Sequence, residues 1–381
     1  MNILFRNNKL YLKDINGNLE QLSQYSYAYD CSEGVFCIGI GTDPLTCFGG
    51  KCGYISENGE MIIEPSFDYA RPFSDGLAVI SVGCDKNGFG GKYGFIDKTG
   101  KVVIEPIYSH ARDFIDGVSA VAIGGNKYGK GSKWGLIDKK GDSLITTEYT
   151  FIGAFLDGCA WIQMGSFFGF INTKGEQITP LVFSNTGDFH EGLAFVKGKE
   201  KGSLYGYIDT DGNYAIEPQF ENANNFIDGV AIVRLNKKYG IIDKSGRFVL
   251  EPEYDRIDEW NSFMVFDTKN GVNVNLKPNW TVVVKKKKCG IIDKQIDIII
   301  EPQFDIIDNE IRDGMIKVHM HFKDDHFDWY KTGFISEDGK TIIAPIYDNA
   351  SAFENGRAKV CLGRGKDAKH GYIDKKGNWI E

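Results

Sequence analysis

Three of the six histidines fall within eight residues, at His319, His321 and His326. On an extended strand His319 and His321 share a face, and a His-x-His pair can grip one metal ion through its imidazole nitrogens. Asp324, Asp325 or His326 would complete the shell only if the loop folds back, and nothing in the spacing fixes a third ligand. The segment reads foremost as an exposed loop. His319, His321 and His326 remain the metal candidates, and no cofactor is expected.

Other chemistry-bearing patterns weaken on inspection. Gly124-Gly125-Asn126-Lys127-Tyr128-Gly129-Lys130-Gly131-Ser132 nearly spells a phosphate-binding loop, but Gly131 stands where Ser or Thr should follow the lysine. Such a loop must also lead into a helix whose N-terminal amides hold the phosphates. Here the next element is a strand at Trp134-Gly135-Leu136-Ile137. Cys31, Cys37, Cys47 and Cys52 are spaced too widely for a zinc ribbon, so buried thiols are expected, or a Cys47–Cys52 disulfide in an exported protein. Lys285 to Lys288 reads as a solvated strand edge that deters edge-to-edge pairing. No Gly-x-Ser-x-Gly elbow, His-Glu-x-x-His or dinucleotide fingerprint occurs, and no catalytic residue or enzyme activity is expected.

Aromatic residues are the stronger signal. Trp161, Phe167 and Phe168 flank the short Gly165-Ser166 connection and are the interaction candidates, since aromatics are the usual anchors of interfaces. What positions them is a repeat. Asp97-Lys98-Thr99-Gly100-Lys101-Val102-Val103-Ile104-Glu105-Pro106 returns as Asp243-Lys244-Ser245-Gly246-Arg247-Phe248-Val249-Leu250-Glu251-Pro252, and more loosely elsewhere. Each copy holds strand A (Tyr93 to Asp97), a turn, and strand B (Val102 to Ile104), which stops at Glu-Pro because proline has no N–H for the ladder. The turn Asp side chain accepts a backbone N–H two residues on, and the turn Gly takes the left-handed conformation. Because Ser56, Asn172 and Ser336 replace that Asp, its role is capping and not calcium binding. Strand C (Val118 to Ala122) precedes the next strand A through loops as short as Gly165-Ser166, so C and A pair antiparallel.

Units mark at 11, 53, 94, 135, 169, 206, 240, 290, 333 and 371, with spacings from 34 to 50 residues. The expected fold is an all-β array of about ten C–A–B antiparallel three-stranded units over 1–381, open and twisted, with a closed propeller-like ring as the alternative. The slack between units lies in the C-to-A loops, where repeat proteins carry function. The stretch 259–289 breaks the pattern, as an inserted hairpin or as a hinge between sub-arrays 1–258 and 290–381. Recurring Tyr93, Tyr108, Phe114, Tyr205 and Phe226 are expected in the core between units.

The pattern Trp/Tyr-Gly-Phe-Ile-Asp-Lys-x-Gly-Lys-x-Val-Ile-x-Pro-x-Tyr, followed by Phe-x-Asp-Gly-Leu-Ala-x-Val, resembles the WG-repeat family of bacterial proteins (also called KWG repeats). The resemblance covers nearly the whole chain, although Trp-Gly itself occurs only at Trp134-Gly135. It implies an interaction scaffold with no catalytic residues to carry over. The formal charge of −8 argues against nucleic acid and anionic membranes and permits a basic protein partner, as in an immunity or antitoxin-like role. A glycan or cell-surface binding module is the alternative. With no apolar leader at residues 1–9 and no long apolar run, a cytoplasmic protein is expected, or an exported one if a signal was removed.

Overall fold

The computed structural model describes residues 2–6, 9–13, 19–43, 46–258, 264–267, 272–275, 280–324, 327–340 and 342–380. Nearly every element is a strand, and among the described residues the only helical turn is a 3-10 segment at Gly365–Asp367. None of these residues forms a helix long and apolar enough to cross a membrane. By internal packing the chain divides into Met1–Pro218 and Gln219–Glu381.

The repeat is an antiparallel sheet of modest size. One copy pairs Tyr69–Ala70, Ala78–Val82, Lys92–Ile96 and Val102–Tyr108 in that order. The all-β array is therefore present, and each sheet is open with two edges. Its unit has one strand more than the three expected. The extra strand is only two residues long and lies between strands B and C, where His110–Ala111 and Phe151–Ile152 are further copies. Two residues are too few to show a period of two, so sequence patterning cannot reveal such a strand.

The recurring glycine of strand A has a steric cause. Strand B bulges opposite it, since Tyr93 pairs with Tyr108 but Phe95 pairs with Ile104. The Glu-Pro backbone crosses directly over the glycine. A Cβ at Gly94 would lie 2.5 Å from the Ile104 carbonyl oxygen and 2.7 Å from the Pro106 nitrogen, and Gly53, Gly240, Gly290 and Gly333 meet the same obstruction. The A–B turn forms as expected. Asp97 Oδ1 accepts from the Thr99 N–H at 2.9 Å and the Lys101 N–H at 3.1 Å, and Asn172 and Ser56 do the same in their copies.

Packing runs from sheet to sheet. Leu77, Phe95, Phe114, Val121 and Ile137 form one cluster drawn from two successive sheets, with Phe114 wholly buried against Phe95 at 4.7 Å between centroids. Tyr108 and Phe226 are likewise buried. Tyr93 and Tyr205 are only half buried.

A second inter-repeat contact is polar. The acid of the Phe-x-Asp-Gly turn adopts a left-handed backbone, with φ of 57° at Asp75 and 51° at Glu33 and Asp313. Asp75 Oδ2 accepts from the Gly117 N–H of the following repeat at 2.6 Å, and Oδ1 binds Lys139 Nζ of that repeat's A–B turn at 2.5 Å. Glu33 holds Gly76 and Lys98 in the same way, and Asp313 holds Gly356 and Lys375. Asp157 takes the Gly192 N–H at 2.7 Å, and Asp228 pairs with Lys294. Two separate sequence motifs, Asp-Gly and Asp-Lys, thus make one clamp.

In the second unit, Met264–Asp267 pairs antiparallel with Val272–Asn275, the edge strand, and parallel with Ile306–Arg312 on its other side. The lysine run is not a strand edge. Lys286 and Lys287 are the two left-handed residues of a hairpin turn between Trp280–Lys285 and Lys288–Asp293. Lys285 pairs with Glu253 and Lys288 with Asp305, which anchors that turn without glycine.

Candidate functional site

The first unit carries a ladder of rings built chiefly from two repeat positions, joined by Trp161 of a strand C and by Phe48. One is the first residue of the two-residue strand, held by Tyr69, His110 and Phe151. The other is the residue before the strand A glycine, held by Tyr93, Trp134 and Phe168. Successive repeats interleave them. Tyr69 meets Tyr93 at 6.3 Å, Tyr93 stacks on His110 at 5.9 Å, and His110 meets Trp134 at 6.1 Å. Trp134 meets Phe151 at 5.0 Å, Phe151 stacks on Trp161 at 5.3 Å, and Trp161 meets Phe168 edge-on at 5.6 Å. Phe48, stacked on Tyr69 at 5.1 Å, extends the other end.

Of the three interaction candidates, Trp161 and Phe168 are half buried and belong to this ladder, whereas Phe167 is exposed at the hairpin end. Trp161 is held in place. Its Nε1–H donates to Asp188 Oδ1 at 2.8 Å. Gly153 lets the indole lie against the backbone, since a Cβ there would meet Nε1 at 2.6 Å.

Charged groups flank the rings. The Arg112 guanidinium lies 5.5 Å from the Trp134 ring centre and 5.2 Å from that of Phe151, a geometry that favours a cation. Arg71 pairs with Asp113 at 2.7 Å. Arg112 Nε, Asp113 Oδ1 and His110 Nδ1 are shielded from solvent and unpaired. Burial lowers the His110 imidazole below its ordinary value, so it is neutral at pH 7. Burial also raises the Asp113 carboxyl, outweighing Arg71 and Arg112.

Two clefts open onto the ladder from the C-to-A loops. One, of about 430 Å³, lies among Phe48, Tyr93 and His110 and the loops bearing Phe89 and Tyr128. The other, of about 340 Å³, runs past His110 to Trp134 and Phe151. Phe89 and Tyr128 meet edge-on at 5.0 Å across the rim, and both are exposed. The glycine-rich segment that mimics a phosphate loop is one of these rims. Gly129 presses against the His110 ring, where a Cβ would come within 2.3 Å. Ring faces, amides and cations of this kind hold a ligand by stacking and hydrogen bonding.

The sequence reading in strands A, B and C alone passes over the ladder, because Tyr69, His110 and Phe151 stand on the two-residue strand between B and C. A signal exists: the residue before the alanine or isoleucine is Tyr69, His110 and Phe151 in the first unit, but Asn222 and Asn349 in the second.

The histidines do not converge. His319 Nε2 meets Asp308 at 3.2 Å and its Nδ1 meets Thr332, while His321 Nε2 meets Asp328 at 3.2 Å. Each ring is thus engaged by a different carboxylate, and His326 lies outside the described residues. Among the described residues no group of three or more His, Cys, Asp or Glu is placed to hold a metal. All eight cysteines are free thiols, Cys47 and Cys52 included. Burial pushes Cys52 up to about 11.

Among solved structures, a eukaryotic initiation factor is 11% identical, with 87% of this chain and 92% of that chain covered and a TM-score of 0.39. Prolyl oligopeptidase B from Galerina marginata is 10% identical over 83% of this chain and 56% of its own, with a TM-score of 0.35. The extracellular domain of a hybrid two-component system from B. thetaiotaomicron is 11% identical over 96% of this chain and 56% of its own, with a TM-score of 0.24. The chain thus spans just over half the length of the last two. No curated protein matches the sequence. The family model described as WG containing repeat matches eight times, at residues 53–83, 93–128, 134–166, 168–201, 205–239, 239–262, 290–319 and 333–366. With the strand A glycine explained by the crossing of strand B and the family model matched along most of the sequence, the chain belongs to the WG-repeat family.

Proposed function

We propose that the chain is a non-enzymatic interaction scaffold whose recognition surface for a protein partner is the ring-lined cleft of the first unit. The observation that carries this reading is the ladder itself. It presents ring faces along two clefts, with Phe89 and Tyr128 exposed at the shared rim, and rigid aromatics are the residues that anchor interfaces. The test is affinity capture from lysate of the source organism with wild type and Phe89→Ala/Tyr128→Ala as parallel baits. A stoichiometric protein retained by wild type and lost from a variant of unchanged melting temperature supports the reading. A protein retained equally by both baits refutes the cleft as its site.

A glycan is the second reading, favoured by Asn87, Asn126 and Ser109 beside the rings of the larger cleft. Amides and hydroxyls next to ring faces suit a sugar, whose C–H face stacks while its hydroxyls hydrogen-bond. Retention of no protein, with binding on a glycan panel, would select it.

A further inference from the structure

The chain as a whole carries a formal charge of −8, which taken alone permits a basic partner. The loops that frame the clefts have the opposite sign. Across 84–92 and 124–133 stand Lys86, Lys92, Lys127, Lys130 and Lys133 against Asp85 alone. All five lysines are exposed. The Asp85 carboxylate is occupied by its own loop, accepting from the Asn87 N–H at 2.9 Å and the Phe89 N–H at 3.0 Å. Lys127 leans over the Tyr128 ring at 5.0 Å and acts on Asp85 only at a distance, without a contact ion pair. Elsewhere in the chain lysines are commonly matched, as Lys51 is to Asp68 and Lys139 to Asp75. No Asp or Glu lines either cleft.

Unmatched cations around ring faces suit acidic side chains set about an apolar one. Resting on the protein-interaction reading above, we propose that the partner presents to this cleft an extended segment rich in Asp and Glu, with one aromatic or aliphatic side chain seated on the rings. The clefts meet at His110 and Tyr128, so a strand-like segment passing that point has ring surface on both sides. Rim charges of this kind steer encounter and set partner choice, and their effect is screened by salt.

The test is selection of a displayed random dodecapeptide library on the wild-type chain. The selected peptides are then measured against Lys92→Glu/Lys127→Glu/Lys133→Glu. A control, Lys140→Glu/Lys174→Glu/Lys201→Glu, changes the net charge equally at exposed sites away from the clefts. The expected peptides are enriched in Asp and Glu around one apolar residue. Their affinity falls by about tenfold or more in the cleft variant, little in the control, and falls again as sodium chloride rises from about 50 mM to about 300 mM. Peptides selected without acidic enrichment, or bound equally by the cleft variant, overturn the acidic segment and leave the interaction reading standing. If no peptide is selected but polygalacturonate binds in a lysine-dependent way, both readings fall and the ligand is an acidic saccharide. If neither probe binds, both readings fall.

Discussion

Replacing Asp75 with alanine removes one inter-repeat clamp and nothing else of size. The side chain is about one-third exposed and its Lys139 partner somewhat more, so the ion pair contributes only about 0–1 kcal/mol. The bond from the Gly117 N–H is worth more, because a charged acceptor contributes about 1.5–3 kcal/mol and its loss leaves the amide unpaired. Alanine also tolerates the φ of 57° less well than aspartate. Together these give an expected loss of about 2–4 kcal/mol for Asp75→Ala. Asp75→Asn keeps an acceptor and the left-handed preference, and it should lose only about 1 kcal/mol. Urea denaturation reads the totals, and hydrogen exchange at the Gly117 amide reads the location. The effect depends on pH. Burial pushes the Asp75 carboxyl up, but Lys139 and the Gly117 N–H outweigh it and hold it below the usual range. A carboxyl lowered on folding stabilises fully above its unfolded value, about 3.9, and that stability disappears as pH falls through the folded value. The gap between wild type and Asp75→Ala should therefore be full at pH 7 and narrow below about pH 4. Unchanged protection of the Gly117 amide in Asp75→Ala, with equal urea midpoints, would refute the clamp.

Gly94→Ala should destabilise by about 3 kcal/mol or more, because the added carbon meets backbone that cannot move aside. Gly76→Ala is the control: it has positive φ but open space, and should cost about 1 kcal/mol. Thermal melts of the two separate steric crossing from backbone strain. Phe114→Ala should cost about 3–5 kcal/mol, with exchange rising in the two sheets that share its cluster and little elsewhere. Uniform exchange throughout the first unit would show that the sheets do not melt as neighbours.

Much of the fold is legible because its causes are local. The turn at Asp97 and Gly100 is four residues long, and its capping bonds involve positions two and four apart. Strands A, B and C show themselves by β-branched runs and by the proline that ends pairing. The glycine of strand A is visible as a letter but not as a cause, since its obstruction comes from a bulge about ten residues on. The clamp is harder still. Asp75 and Lys139 are 64 residues apart, and each motif looks complete as a turn. Lys285 to Lys288 misleads because a left-handed pair usually announces itself with glycine or asparagine, and here ion pairs to Glu253 and Asp305 take over that role. The ladder was half visible. Trp161 and Phe168 stand out as aromatics, yet Tyr69, His110 and Phe151 share a position and not a residue type, so no motif unites them.

The clamps all face one way: in each of the five, the carboxylate comes from the earlier repeat and the amide or ammonium from the later one. A junction with such polarity can form wherever a repeat bearing the turn acid precedes one bearing the glycine amide or the turn lysine. An in-frame duplication therefore supplies its own acceptor ahead and its own donors behind, and joins without new contacts having to evolve. A deletion of one whole period closes the gap by the same rule. Growth or loss by whole periods therefore preserves this polarity, whereas a cut within a period would separate an acid from the amide and ammonium it serves.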